Sequence, residues 1–370
     1  MSNEHDDEEW DRNLIARLKE TDKRNQGSPT LLPEDVQTRI LKKGKRKNRV
    51  FIVLVSLSTL FLVVLLLISY IYSNSLFVTR WFQPNTQAAL RITSDVIQFT
   101  KPGVTASSFS GKNSFISWTY TFELNELVGR EQQRVGTFQD NFIFSKLTGK
   151  FNWKDGQHRT PFNFHYPGGT YPEGSDINSI GWNILQKLPE GTVAQLAISL
   201  ARPMTHDDYY KLIKKYDVTT VWLAIDTGIE KELATRNPVL GNGLVFGYAP
   251  DALNYGENGS GSFTIEVNGE GERRAQTFMN ELQYLIEHPK WTNTLLSSIQ
   301  VEPQVRGVTL EQRYSYLEKN GIKIYGAVLT GPTKELLKLQ EEKEMNSPFV
   351  GTIDWWNWDQ QNASGIEYSY

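Results

Sequence analysis

Residues 51–71 read FIVLVSLSTLFLVVLLLISYI, and this stretch decides how the whole chain is organised. Sixteen of its 21 residues are Leu, Ile, Val or Phe, and no charged side chain occurs from Val50 to Thr79. A helix that rises about 1.5 Å per residue would be roughly 31 Å long here, which matches the hydrocarbon core of a bilayer. We therefore expect a transmembrane helix at residues 50–72; a buried core helix is the alternative interpretation.

The charges beside this stretch predict its orientation. Arg80 and Arg91 are the only basic residues within about twenty positions after the apolar stretch, the range over which loop charges act. A basic cluster precedes it, made of Lys42, Lys43, Lys45, Arg46, Lys47 and Arg49. Because basic residues are retained on the cytoplasmic side, residues 1–49 are predicted to be cytoplasmic. Residues from about 73 onward are predicted to be extracytoplasmic, in a single-pass protein of the cell membrane.

Two alternatives for this region fit less well. A cleaved signal peptide would have a shorter apolar run, nearer the N-terminus, with a small-residue cleavage pattern. The basic cluster is not expected to bind nucleic acid, because its position directly before the span is explained by a role in setting the orientation. The cluster should instead contact anionic lipid of the inner leaflet.

Composition limits the class of the remaining chain. Nearly 300 residues follow the span, enough for one large or two moderate domains with their own cores. Aromatic residues make up 12% of the sequence, which fits a folded ectodomain rather than a disordered stalk. The net charge of −3 gives no field directed at nucleic acid, and the lack of cysteine excludes disulfides and thiolate metal sites.

The cytoplasmic segment 1–49 is too short for a core of its own, yet it carries two apolar stripes. One lies on a predicted helix over residues 10–24 and consists of Trp10, Leu14, Ile15 and Leu18. The other lies on a helix predicted to start at Pro33 and consists of Val36, Ile40 and Leu41. Such helices are typical of partner-binding segments. The alternative is that they lie on the membrane or in solvent.

The outer region shows strand patterns first and mixed patterns later. Residues 116–124 alternate between apolar and polar side chains, which predicts a half-buried strand, and residues 138–144 are a second candidate. Residues 83–112 are weakly patterned, and residues 154–181 are rich in Gly and Pro, which indicates loops or a linker.

From residue 192 onward the boundaries of helices and strands are more clearly marked in the sequence. A strand at 192–200, a capped helix from Thr205 and a strand at 218–225 predict a β-α-β unit whose strands are neighbours or near-neighbours in one sheet. Helices are predicted at 272–287 and 291–298. Thr309 opens another helix as a second capping box, and a strand at 322–329 and a short helix follow.

These patterns predict an α+β (mixed α/β) extracytoplasmic domain on a single transmembrane helix with a short helical cytoplasmic tail. The expected parts are a cytoplasmic tail at 1–49, the transmembrane helix at 50–72, an outer β-rich region at 73–180 and an outer α/β domain at 181–370.

No motif predicts catalysis, a metal or a cofactor, so the chain is not expected to be an enzyme. The turn at 330–334 lacks the glycine spacing of a phosphate loop. His206, Asp207 and Asp208 fit a helix start rather than a metal site. Near the C-terminus Trp355, Trp356 and Trp358 form an aromatic string, for which sugar binding and packing against the domain are the two interpretations.

Four strings carry a resemblance to a known family. They are ITSDVIQFTKPG at 92–103, TVAQLAISLARPMTHDDYYKLIKKYDVTTVWLAIDTG at 192–228, YLEKNGIKIYGAVLTGPTKELLKLQ at 316–340 and WWNW at 355–358. The sequence resembles the sigma factor regulator proteins of spore-forming Gram-positive bacteria, which have an N-terminal membrane-region module and a C-terminal extracytoplasmic module. The likeness spans roughly residues 40–110 and 180–358.

The resemblance implies that the inner segment holds an extracytoplasmic-function sigma factor at the membrane while the outer domain senses the cell envelope. Many membrane anti-sigma factors have a longer inner domain, often with a His-Cys-Cys zinc motif. Residues 1–49 lack cysteine and are short, so a second small membrane protein is a candidate to share the task. The competing hypothesis is an anchored envelope or wall-binding structural protein whose tail only sets topology; an anchored enzyme is a lesser one.

Overall fold

The computed structural model describes residues 12–17, 19–20, 33–82, 85–114, 117–143, 146–154, 156, 162–168, 179–236, 239–241, 244–250, 271–299 and 307–356. For residues 34–35, 73–82 and 271–273 it describes the backbone alone. The chain divides into two units, Met1–Leu76 and Phe77–Tyr370.

The first unit is helical. Residues 12–17 and 19–20 are helical, as the apolar stripe predicts. Helix α1 runs from Glu34 to Phe82 without a break. The Pro33 carbonyl accepts the backbone N–H groups of Val36 at 2.9 Å and of Gln37 at 3.1 Å, so Pro33 opens α1 as predicted. At about 1.5 Å per residue the 49-residue helix is roughly 73 Å long, more than twice the thickness of a bilayer's apolar core.

The second unit begins with helix α2, Thr86–Thr100. The Asn85 side chain caps it by accepting the backbone N–H of Ala88 at 3.2 Å. Ten of its 15 residues are buried. Four strands follow and form sheet 1 in the order β1-β2-β3-β4, every neighbouring pair antiparallel; they are β1 Val104–Asn113, β2 Ser117–Val128, β3 Glu131–Ile143 and β4 Lys146–Trp153.

Sheet 1 has the alternation that the sequence predicts. The inward row of β2 consists of Trp118, Tyr120, Phe122 and Leu124, all buried. The predicted strand at 138–144 is part of β3, where Phe138 and Phe142 are buried; Ile116 lies outside the described residues.

Sheet 2 has the order β11-β6-β10-β7-β9, and each pair of neighbours is antiparallel. Its strands are β6 Thr192–Met204, β7 Thr219–Ile225, β9 Gly247–Tyr248, β10 Ile324–Pro332 and β11 Met345–Trp355; short strands β5 Phe164–His165 and β8 Val239–Leu240 pair separately. Since β6 and β7 both pair with β10, they are parallel near-neighbours, which confirms the predicted β-α-β unit.

The central strands of sheet 2 are buried on both faces. In β7 the residues from Thr220 to Ile225 are all buried, and in β10 the same holds from Ile324 to Gly331. Continuous burial explains why these strands show runs of apolar residues rather than alternation.

Among the described residues, seven further helices accompany the sheets. They are α3 Ile180–Lys187, α4 His206–Ile213, α5 Ile229–Arg236, α6 Gly271–Glu287, α7 Pro289–Ile299, α8 Leu310–Asn320 and α9 Thr333–Lys338. Both predicted caps are present: the Thr205 hydroxyl accepts the N–H of Asp208, and Thr309 forms a complete capping box with Gln312.

The stretch that is weakly patterned in the sequence, residues 83–112, contains α2 and most of β1. The inward face of α2 carries polar residues, among them Thr93, Asp95 and Gln98, which are all buried. The apolar residues of α2 still recur at helical spacing, and the polar residues among them make that pattern harder to recognise.

Replacing Thr309 by alanine should lower the free energy of unfolding by about 1 kcal/mol, because the Thr309 hydroxyl accepts the backbone N–H of Gln312, which is otherwise unpaired at the start of α8. Thermal unfolding of the full-length protein in nanodiscs measures the effect, expected as a fall of about 2 °C. Thr294→Ala is the matched control, since that exposed hydroxyl only bonds to the carbonyl of Lys290 in its own helix. Equal stability of the two variants would contradict the capping role.

Candidate functional site

The N-terminal stripe is the first candidate site, and its described residues are accessible. Leu14 is half-buried, and Ile15 is 53% exposed. Trp10 and Leu18 lie outside the described residues. On the helix predicted over residues 10–24, at about 100° per residue, position 14 falls only about 40° from position 10, so the sequence predicts one face for both.

The second stripe lies on the first turns of α1. Val36 is half-buried, whereas Ile40 is 43% and Leu41 is 60% exposed. Val36 and Ile40 are four residues apart and therefore neighbours on the helix surface. Exposed branched apolar side chains on the first turns of a helix are what a helix-in-groove partner would cover.

The basic cluster continues the same helix. Lys42, Lys45, Arg46, Lys47 and Arg49 are exposed and Lys43 is half-buried. Gly44 interrupts the cluster, and nothing lies within 4 Å of the place where a Cβ would sit. Glycine therefore meets no packing need there and weakens the helix by about 0.5–1 kcal/mol relative to alanine.

Within α1, the stretch Val36–Tyr72 is long and apolar enough to cross a membrane, with a mean hydropathy of 3.1 in its most apolar window. None of that window is buried in the structure. Thr59 donates its hydroxyl to the carbonyl of Val55 at 2.8 Å, so this polar group is satisfied within the helix.

The second unit holds two buried clusters of charged groups. The first, the Arg313 cluster, joins α8 to the end of β7 and the start of α5. Arg313 donates to the Glu230 carboxylate at 2.6 Å and to the hydroxyl of Thr227, and both members of the ion pair are almost completely buried. Asp226 accepts the hydroxyls of Tyr166 at 2.9 Å and Tyr316 at 3.3 Å.

The Arg313 cluster is closed and fully bonded at its centre. The Glu230 carboxylate also accepts the backbone N–H of Thr227 at 2.8 Å, and the guanidinium of Arg313 lies 4.5 Å from the centre of the Phe246 ring. Gly228 has φ +85°, and a Cβ there would meet the Tyr316 ring at 2.5 Å. Because every side of the cluster is filled by protein, it fits a structural role.

The second cluster, the α2 acid cluster, consists of Arg91, Asp95 and Glu281. Arg91 binds Glu281 of α6 through two hydrogen bonds of 2.9 Å, and its guanidinium lies 3.8 Å from the centre of the Tyr284 ring. Asp95 is fully buried and accepts the side-chain amide of Gln98 at 2.9 Å. Burial, reinforced by the charge of Glu281, raises the pKa of the Asp95 carboxyl well above its ordinary value.

A third buried acid lies close to the same helix. Asp140 occupies the inward row of β3, is fully buried and accepts the hydroxyl of Thr93. Burial raises the pKa of Asp140 to about 7, although the hydrogen bond from Thr93 acts in the opposite direction.

Two of the remaining candidates from the sequence, His206 and Lys334, have structural explanations. His206 begins α4 and bonds to the hydroxyl of Tyr248, and burial lowers its pKa to about 4. Lys334, in the turn at 330–334, donates to the carbonyl of Leu188 at 3.3 Å. Trp355 is 65% exposed, whereas Trp356 lies under Arg130 at 5.1 Å; Trp358 lies outside the described residues.

Comparison with known proteins identifies the family. Residues 38–133 match the model of the sigma factor regulator N-terminal region, and residues 185–352 match that of the sigma factor regulator C-terminal region. The chain belongs to the sigma factor regulator family. It is also similar to the probable anti-sigma-M factor YhdL of Bacillus subtilis (strain 168), with 28% identity over 329 residues, 87% of this chain and 84% of the relative. No solved structure matches the chain.

The family membership carries a coarse function with it. A sigma factor regulator acts on transcription through a sigma factor partner, and the family is regulatory rather than enzymatic. The matched N-terminal region starts at residue 38, inside α1, so the stripe around Leu14 lies outside both matched regions. The assignment of that stripe to partner binding therefore stays a prediction from its pattern.

Sequence reasoning overlooked Arg91, Asp95, Asp140 and Glu281. A polar residue at a position where the neighbouring pattern asks for an apolar one is the signal that could have found Asp140, since β3 reads Phe138-x-Asp140-x-Phe142. Asp95 lacked such a signal, because the helix that buries it was itself missed.

Proposed function

We propose that this protein is a single-pass membrane regulator that sequesters an extracytoplasmic-function sigma factor through residues 1–49 and responds to the envelope through its outer domain. One observation carries the proposal: the N-terminal segment presents exposed apolar side chains, Ile15, Ile40 and Leu41, in a chain of the sigma factor regulator family. A tail that only sets topology needs the basic cluster but has no use for these side chains.

The proposal keeps the division of the chain that the sequence predicts. Residues 1–49 form the partner-binding tail, 50–72 cross the membrane, and 73–180 and 181–370 make up the extracytoplasmic part. In α1 the exposed stripe and the apolar span are parts of one continuous helix, which supports a tail held close to the membrane surface. Contact of the basic cluster with anionic lipid would contribute about 1 kcal/mol per basic residue near the surface. A second small membrane protein is a further partner to look for in pull-down experiments.

Reporter fusions test the topology. A fusion after Lys47 should be active only as a cytoplasmic reporter, and a fusion after Pro84 only as an extracytoplasmic one, because basic residues are retained on the inner side. Alkaline phosphatase and green fluorescent protein fusions at both positions provide the paired measurement. The reverse pattern would overturn the proposed orientation and with it the cytoplasmic site.

An anchored wall-binding protein is the second candidate function. The observation that favours it is Trp355, which stands 65% exposed near the end of edge strand β11. An exposed indole ring can stack on a sugar. Sedimentation of the full-length protein in nanodiscs with purified cell wall tests this function, and it is supported only if Trp355→Ala weakens the association while Ile353→Ala on the same strand does not.

A further inference from the structure

Helix α2 connects the membrane-spanning part of the chain to the outer domain in sequence, since it starts at Thr86, four positions after α1 ends at Phe82. It is attached to four different elements of its own unit. Its polar attachments are Thr86 to Tyr120 of β2 at 2.9 Å, Thr93 to Asp140 of β3, Arg91 to Glu281 of α6, and the carbonyl of Gln98 to the indole N–H of Trp222 of β7 at 2.6 Å. Any displacement of α2 must break these contacts together.

The α2 acid cluster has one cation for two acids. Arg91 already gives two hydrogen bonds to Glu281, and Oδ2 of Asp95 has no hydrogen-bond partner among the described residues. An ionised Asp95 would be a second buried carboxylate with its charge uncompensated, a situation that costs several kcal/mol in proteins. The seated position of α2 therefore requires a proton on Asp95.

Asp140 also has to be protonated when α2 is seated, at the contact between α2 and β3. The hydroxyl of Thr93 is the donor to one of its oxygens, and Oδ1 has no partner among the described residues. The titratable and charged groups around the two acids are Arg91 on α2, Glu281 and Tyr284 on α6, Tyr120 opposite Asp140 on β2, and Lys101 at the end of α2 above Phe151 of β4. A proton on Asp140 removes the need for a cation there.

We propose that α2 is a pH-responsive latch: protonated Asp95 and Asp140 hold it seated in the outer domain, and loss of these protons releases it and so changes the strain on the chain that leads to the membrane helix. The proposal rests on the proposed function for its biological meaning, but the latch itself is a property of the outer domain.

The direction of the pH effect follows from the shifts. Each acid binds its proton more tightly when α2 is seated than when the carboxyl is in water, so seating is favoured at low pH. For Asp140 the seating equilibrium should fall by about tenfold per pH unit between about pH 4 and the raised pKa of about 7, and level off above it. Asp95 adds a dependence of the same sign.

Hydrogen–deuterium exchange of the full-length protein in nanodiscs tests the latch. After correction for intrinsic exchange, protection of residues 86–100 should fall as the pH rises, while peptides from β7 and α4 keep theirs. In Asp140→Asn the protection of residues 86–100 should fall less steeply with pH, by about one factor of ten per pH unit below about pH 7, since an amide does not titrate. Asp95→Asn should flatten this dependence further, because the amide, like the protonated acid, places no second negative charge beside Glu281. Asp217→Asn, an exposed acid, should leave the slope unchanged.

Two results would overturn the proposal. One is protection of residues 86–100 that does not vary with pH in the unmodified protein. The other is a loss that runs in parallel through β7 and α4, since this would mean global destabilisation rather than release of one helix. These readings need only the unmodified protein, so they hold even if a variant fails to fold.

A cellular measurement separates this proposal from the proposed function. In cells that express the unmodified protein, transcription dependent on the partner sigma factor should vary with external pH, and Asp140→Asn should reduce that variation. If exchange of residues 86–100 depends on pH as expected, but sigma-dependent transcription is the same with and without the protein, sigma factor regulation is refuted and the latch is not. If exchange does not depend on pH, but the sigma factor binds normally, the latch is refuted and sigma factor regulation is not.

Discussion

Replacing Trp10 and Leu14 together by alanine should weaken sigma factor binding at least about thirtyfold. Loss of an anchor residue from an interface typically costs about 2 kcal/mol or more, and about 1.4 kcal/mol corresponds to a factor of ten in affinity. The protein should insert normally, because the apolar span and its basic cluster are unchanged. Binding of the labelled sigma factor to the full-length variant in nanodiscs measures the change, and transcription of the sigma factor's own regulon should rise without envelope stress.

Lys19→Ala is the matched control for this double variant. Lys19 is exposed, and on the helix predicted over residues 10–24 it falls about 180° from position 10 and about 140° from position 14, so its loss should leave affinity within about threefold. If the double variant bound as tightly as the Lys19 variant and the regulon stayed silent, this helix would not be the sequestering element. The anchored wall-binding function would then be the better account.

Replacing Arg313 by methionine should destabilise the second unit by about 3–5 kcal/mol. Arg313 and Glu230 are 3% and 0% exposed, and removal of the cation leaves a buried, uncompensated carboxylate. Thermal unfolding of the full-length protein in nanodiscs, followed by tryptophan fluorescence, measures the loss. Arg236→Met provides the control, because its ion pair with Glu232 is fully at the surface and should contribute less than about 1 kcal/mol.

A second variant separates lost charge from lost packing. Arg313→Met combined with Glu230→Gln removes both charges, so it should recover part of the stability that the single variant loses. No recovery would mean that the shape of the Arg313 side chain, stacked on the Phe246 ring, matters more than the ion pair.

Much of this fold could be predicted where local signals agree with the final packing. Thr205 and Thr309 cap the helices that their sequence patterns indicate, and the strand at 218–225 is buried throughout. The alternation of β2 corresponds to one inward row of buried side chains. In each case the residues that carry the pattern also make the contacts.

The rest could not be predicted because its signal comes from distant partners. In α2 the side chains of Asp95 and Gln98 are buried and bond to each other, and Asp95 faces Glu281 of α6, which no local pattern reveals. Glu281 lies 190 positions from Arg91 in the sequence, so their ion pair appears only once the chain has folded. The predicted boundary near residue 180 stays a prediction, and so does the binding role of the N-terminal stripe.

Residues 1–49 are proposed to hold the sigma factor, and residues 2–32 are the part of this tail that can be removed while α1 stays complete. The most direct measurement compares full-length protein in nanodiscs with a variant that lacks residues 2–32, each titrated with every extracytoplasmic-function sigma factor of the host. We expect one sigma factor to bind the complete protein, and the shortened variant, still inserted through α1, to bind it at least about thirtyfold more weakly. Equal affinity for the two proteins would contradict the account.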